Sequence, residues 1–172
     1  AVISQIEGEE NVKNNSQVFA IDVIDERTNV LVVSNILHPD LGAFKKAIET
    51  NKQRKVVFAK PDSYDDLNDY QLVIVYQPNR SFKPLFDDLE KYEKNYLLVS
   101  GLQTDWNFLN TIQSGFKKNS IQQSQEYLPS FNGNFSLFQL DALDFESFPP
   151  LLDNYGDVQS TGAKDKTLLY QR

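Results

Sequence analysis

Residues 30–49 read Val30-Leu31-Val32-Val33-Ser34-Asn35-Ile36-Leu37-His38-Pro39-Asp40-Leu41-Gly42-Ala43-Phe44-Lys45-Lys46-Ala47-Ile48-Glu49. The first four residues form an unbroken apolar, mostly β-branched run, the pattern of a strand buried on both faces. Leu41, Phe44 and Ile48 then recur at helical spacing and mark one apolar stripe. Pro39 and Asp40 stand where a helix begins, because proline needs no N–H donor there and a carboxylate favours the positive end of the helix. A strand followed directly by a helix is half of a βαβ unit.

The same rhythm continues outward. Residues 55–59 (KVVFA), 72–75 (LVIV) and 96–99 (YLLV) are further short apolar runs. Between the first two lies a polar connection over 60–69, with room for one helical turn at 63–67. Phe82, Leu85, Phe86 and Leu89 mark a helix face after Ser81, a candidate N-cap, with Pro84 tolerated in the first turn. Trp106, Leu109 and Ile112 mark another, with Thr104 as its expected cap and Gly115 as its stop. Short apolar strands separated by helices predict an α/β fold, a mostly parallel sheet of order about 2-1-3-4 flanked by helices and joined by right-handed crossovers.

Upstream, residues 17–23 (QVFAIDV) alternate like a half-buried strand, and residues 25–29 form a turn cluster. From about Asn119 the rhythm changes. Asn132-Gly133 predicts a hairpin turn between 126–128 and 135–140. Pro149-Pro150 breaks the chain, and Thr161-Gly162 precedes a last apolar run at 167–170. The C-terminal third is therefore expected to add β-hairpins to the sheet.

The chain has 172 residues, long enough for a core that needs no cross-links, and its 12 Phe and 8 Tyr predict an aromatic-rich interior. Net charge is −7. Nucleic acid and an anionic membrane surface are not expected as main partners, since the basic clusters (Lys45-Lys46, 52–55, Lys117-Lys118) have the size of solvated faces, and no run approaches the ~20 apolar residues that insertion into a membrane needs. The absence of Cys excludes disulfides, thiolate metal sites and a cysteine nucleophile. One His is too few for a histidine-based zinc site. No metal and no cofactor are expected. The start at Ala1 without Met is read either as processing or as an excised piece, and the end at Arg172 directly after an apolar run as truncation at the C-terminus.

Two segments carry a family resemblance. Glu7-Gly8-Glu9-Glu10-Asn11-Val12-Lys13-Asn14-Asn15, with the strand at 19–23, resembles the closing region of immunoglobulin-like modules in bacterial surface proteins. VLVVSNILHPDLGAFKKAIE, YQLVIVYQP and NYLLVSGLQTDW resemble the class I glutamine-amidotransferase-like (flavodoxin-like) domains of large membrane-anchored bacterial proteins that also carry von Willebrand factor A-type domains. The resemblance spans about 7–115. It implies that 1–28 end an immunoglobulin-like module and linker, and that 29–172 form the amidotransferase-like domain. It also implies a periplasmic or envelope-exposed location and partners among the other domains of the same polypeptide, envelope proteins, or a small polar ligand.

That family's nucleophile is a Cys on the turn after the fourth strand. The matching turn here is Val99-Ser100-Gly101-Leu102-Gln103, which holds no thiol. The oxyanion loop matches Tyr76-Gln77-Pro78-Asn79-Arg80, in which Pro78 has no N–H. The activating His should lie near the C-terminus, whereas the single His is His38. Glutaminase chemistry is therefore not expected, and the domain reads as a non-catalytic binding or interaction domain. Two rivals stand beside it: a degenerate serine hydrolase using Ser100 and His38, and a structural spacer.

In open α/β sheets ligands bind beyond the carboxyl ends of the strands, where the strand order reverses. Ser34, His38, Asp40, Tyr76, Gln77, Ser100 and Gln103 are the residues expected to line such a pocket. The competing reading, that His38-Pro39-Asp40 simply starts a helix, accounts fully for Pro39 and Asp40 and is the preferred one. Trp106 is expected in the core or at a domain interface.

Overall fold

The computed structural model describes residues 27–121, 123–139, 144–162 and 166–171, with isolated positions 2, 4, 7, 8, 18 and 20. The strand expected over 17–23 and the immunoglobulin-like portion assigned to 1–28 fall mainly outside the described residues.

Four parallel strands form the main sheet: β1 (Thr28–Ser34), β2 (Arg54–Ala59), β3 (Leu72–Tyr76) and β4 (Tyr96–Val99), in the order β2-β1-β3-β4. The central position of β1 follows from its composition, since Val30 to Val33 are each at most 3% exposed. A strand with no polar side needs hydrogen-bonded neighbours on both edges and packing on both faces.

The connections distribute the helices. From β1 the chain steps one way to β2, and from β3 it steps the opposite way to β4. Right-handed crossovers therefore place α1 (Pro39–Ile48) and α2 (Lys83–Lys91) on opposite faces. Leu31, Val33, Val73 and Val75 pack with Leu85, Phe86 and Leu89 of α2 and with Trp106 and Leu109 of α3 (Trp106–Ile112). Val30, Val32, Val56 and Ile74 face the other way, toward Leu41 and Ile48 of α1. The α1 stripe stays only half-buried, because one helix covers that face.

Several local expectations are corrected. The turn at 63–67 is instead a 3-10 turn at Leu67–Asp69 capped by Asp66. Ser81 caps nothing: Asn79 caps a 3-10 turn at Arg80–Phe82, and α2 starts after it. Asp105, not Thr104, caps α3 by accepting from the Phe108 N–H. Thr104 Oγ1 accepts from the Gly101 N–H, which holds the loop after β4. At both caps a second short polar side chain one or two residues away, Asn79 for Ser81 and Asp105 for Thr104, reached the free amide. At the end of α3 the side chain of Gln113, ahead of Gly115, donates to the Leu109 carbonyl and accepts from the Gly115 N–H.

The C-terminal third holds β5 (Phe116–Lys118), β6 (Ser124–Tyr127), β7 (Pro129–Phe131), β8 (Leu151–Asn154), β9 (Val158–Ser160) and β10 (Leu169–Gln171). They pair antiparallel as β5–β9, β6–β8 and β7–β10. Asn132-Gly133 makes a turn, with the Phe135 N–H donating to the Asn132 carbonyl, but it closes no hairpin among the described residues. Asn132 is committed elsewhere: its N–H donates to the Leu168 carbonyl and its Nδ2 to the Thr167 carbonyl, which extends the β7–β10 pairing. No helix among the described residues is long and apolar enough to cross a membrane.

The central burial of β1 makes a direct prediction. Leu31→Ala should cost about 3 kcal/mol in urea unfolding, through lost burial plus an unfilled cavity. Leu97→Ala, on the edge strand and 47% exposed, should cost under ~1 kcal/mol. Equal losses at the two positions would contradict the assignment of centre and edge.

Candidate functional site

The register sets Ser34 beside Tyr76 and Tyr76 beside Val99, so three strands end together. From there the chain leaves β1 toward one face and β3 toward the other, and a crevice opens between the loops. It is a cleft of about 560 Å³. The loop after β1 contributes His38 and Asp40, the end of β3 contributes Gln77, and the loop after β4 contributes Ser100, Gly101 and Gln103. The C-terminal ribbons form the facing wall with Tyr127, Pro129, Leu151, Asp153 and Tyr170.

A chain of hydrogen bonds makes the floor. Tyr76 is fully buried, and its hydroxyl donates to Asp40 Oδ2 at 2.8 Å. The same oxygen accepts from Gln77 Nε2 at 2.9 Å. Gln77 Oε1 in turn accepts the Gln103 N–H at 2.8 Å. Helix α1, strand β3 and the loop after β4 are thereby tied through one amide side chain. Burial, then the bond to Asp40, push the Tyr76 hydroxyl up to about 12.

Gln77 holds a backbone φ of +46°, the left-handed region, and is 9% exposed. A non-glycine residue there costs about 1 kcal/mol. The offsetting contacts are the two side-chain bonds and the Gln77 N–H, which donates to the Val99 carbonyl at 2.7 Å. Across the crevice Gly101 has no room for more: a Cβ there would stand 2.7 Å from the Gln77 amide.

His38 is itself the N-cap of α1, its Nδ1 accepting the Asp40 N–H at 3.3 Å. In the tautomer that makes this bond Nε2 carries the proton and remains a donor. The Asp40 carboxylate also lies 3.3 Å from Nδ1, a contact that becomes an ion pair only in the doubly protonated ring. Capping and cleft-lining thus coexist at this residue.

The facing wall has its own anchor. Lys118 is 1% exposed, and its ammonium meets Asp153 Oδ2 at 2.8 Å between the rings of Trp106 and Tyr127, at 5.4 and 5.7 Å. This corrects the reading of Lys117-Lys118 as a solvated pair, since strand alternation turns Lys118 inward while Lys117 stays exposed. Asp153 lines the cleft with both oxygens occupied, as its Oδ1 accepts the Asn154 N–H.

Of the residues expected at the pocket, His38, Asp40, Gln77, Ser100 and Gln103 line one cleft. Tyr76 lies beneath it as support. Ser34 is not part of it: its hydroxyl bonds the Ile36 backbone, and it lines a separate, more apolar cleft of about 870 Å³ beside β2. Trp106 is buried, edge-on to Phe116 at 6.3 Å. Among the described residues no hydrogen bond reaches the half-buried Ser100 hydroxyl. Sequence reasoning expected C-terminal β-ribbons but not their place as a wall of the cleft, and it missed the left-handed backbone of Gln77; neither has a local signal.

No family model, curated protein or solved structure matches this chain. The cleft is therefore read from its own chemistry. Its polar groups are amides, the hydroxyls of Ser100, Tyr127 and Tyr170, an imidazole and two carboxylates, and among the described residues no cluster of three His, Cys, Asp or Glu could hold a metal ion.

Two outcomes follow from the floor. Gly101→Ala should destabilise by about 1–2 kcal/mol, because the added methyl displaces the Gln77 amide from its bonds. In a Gln77→Gly background, where the obstructing side chain is gone, the same change should be nearly neutral, a coupling of about 1 kcal/mol in a double-mutant cycle. Additive costs would show that the two residues do not meet. The second outcome concerns alkaline pH. A Tyr76 hydroxyl harder to ionise in the folded chain contributes stability that is complete below its ordinary value of 10.0 and is lost as pH rises to about 12. Urea unfolding across that window should show a smaller decline for Tyr76→Phe than for the parent chain.

Proposed function

We propose that this chain is a non-catalytic binding domain of a larger bacterial envelope protein, presented outside the cytoplasmic membrane, with the cleft beyond β1, β3 and β4 as its binding site. The observation that carries this reading is the floor itself. Tyr76, Gln77 and Asp40 form a connected network under an open cavity, and Gln77 is kept in an unfavourable backbone conformation to complete it. Strain of this kind gathers at functional sites, where the surroundings hold a side chain in one position. The envelope context rests on the sequence resemblance to amidotransferase-like domains of membrane-anchored proteins.

The loops at the family's catalytic positions support binding rather than turnover. After β4 the nucleophile position offers Ser100, followed by Gly101, whose N–H is spent on Thr104. After β3 the chain passes through Pro78, whose carbonyl accepts the Asp105 N–H. One observation favours a second reading, a degenerate serine hydrolase: Ser100 and His38 line the same cleft. Against it, His38 Nδ1 is engaged as a helix cap, and a serine nucleophile needs a base within hydrogen-bond reach.

Hydrolysis assays separate the two. The purified chain, incubated with glutamine and with p-nitrophenyl acetate, should release product no faster than its Ser100→Ala variant. Turnover lost on that substitution would overturn the binding reading in favour of the hydrolase.

A further inference from the structure

We infer that the cleft takes a neutral, hydroxyl-rich ligand of the saccharide class and rejects anions; this rests on the reading of the cleft as a binding site. The first observation is the charge of the lining. Among the described residues neither Lys nor Arg lines it, while Asp40 and Asp153 do. Lys118, the nearby cation, is buried behind Asp153 and committed to it. A phosphate or carboxylate would give up its water for no free opposite charge and would face the carboxylate of Asp40.

A cation fares little better. Asp153 has both oxygens occupied and its charge matched by Lys118. Asp40 shares its charge with the Tyr76 hydroxyl and keeps a side chain 53% exposed, where an ion pair is worth little.

What remains for a ligand is a set of neutral groups beside one carboxylate. Gln77 Nε2 has a second N–H beyond the one given to Tyr76, and His38 Nε2–H is a donor in the capping tautomer. Ser100 adds a hydroxyl, Gln103 a side-chain amide, and the Asp40 oxygens retain lone pairs. Donors and acceptors thus alternate over a small floor. Vicinal hydroxyls, each giving and accepting one hydrogen bond, match such a floor with few groups left unpaired. Opposite it stand Pro129, Pro150, Leu151, Leu169 and the half-exposed ring of Tyr170, an apolar wall suited to the C–H face of a sugar ring. The volume of about 560 Å³ lies within the range of small-molecule sites.

The test is a set of NMR titrations of the full, nitrogen-15-labelled chain with four probes at millimolar concentration: cellotriose and chitotriose (neutral), trigalacturonate (anionic) and spermidine (cationic). Saturable shifts of the Gln77 and Gln103 side-chain amides and of the Gly101 amide are expected with at least one neutral trisaccharide. Trigalacturonate should leave them in place. Tyr170→Ala, at an exposed position that leaves the floor intact, should weaken the neutral probe about tenfold. Gln77→Ala should abolish the response. If trigalacturonate or spermidine moves these resonances and the neutral probes do not, the ligand class is wrong while the binding cleft stands. If no probe moves them, both the class and the cleft's role as a binding site fall.

Discussion

Val30, Leu31, Val32 and Val33 leave almost nothing to solvent, and a strand of that kind is stable only with a partner along each edge and cover over each face. Their burial forces β2 and β3 to flank β1 and sends α1 and α2 to opposite sides. The two loops that leave the sheet at this point must then diverge. The crevice between them is a geometric consequence of the central strand, and no residue of the cleft had to create it.

What the site residues add is order within that crevice. The Tyr76 hydroxyl lies between Asp40 and Gln77, and Gln77 reaches on to the Gln103 amide, so three separate segments share one network. Gly101 is the complement of this arrangement, since a larger residue would occupy the space of the Gln77 amide. The opposite wall is held by a different device, a buried Lys118–Asp153 pair between two aromatic rings. Burying such a pair contributes little net stability, but loss of either partner would strand a charge, so it fixes how β5 and β8 sit. Sheet and ribbons therefore meet at the cleft with each side held by its own polar contacts.

Much of this was legible in the chain because the relevant signals are local and strong. The apolar runs at 30–33, 72–75 and 96–99 are strands, and they lie in the order expected of a doubly wound sheet. The placement of His38, Asp40, Gln77, Ser100 and Gln103 at one cleft follows from that order. The rest depends on distant partners. Strands of three or four residues such as β7 and β10 pair across long separations that no turn signal marks, and the Asn-Gly pair pointed to the wrong neighbour. Lys118 looked like any surface lysine, because the carboxylate that receives it lies 35 residues away. Gln77 bears no mark of its left-handed backbone, since glycine or asparagine would be the usual residue there. Ser34 was drawn into the pocket by its position at a strand end, yet its hydroxyl turns back on Ile36.

The central claim is that β1 and β3 lie side by side in the same direction and end together at the cleft. Interstrand nuclear Overhauser effects across this pair in the full-length chain test it most directly. The account predicts contacts of Val30 with Leu72, Val32 with Ile74 and Ser34 with Tyr76. Contacts of Val30 with Tyr76 and Ser34 with Leu72, the signature of an antiparallel pair, would contradict it and remove the crevice along with the strand order.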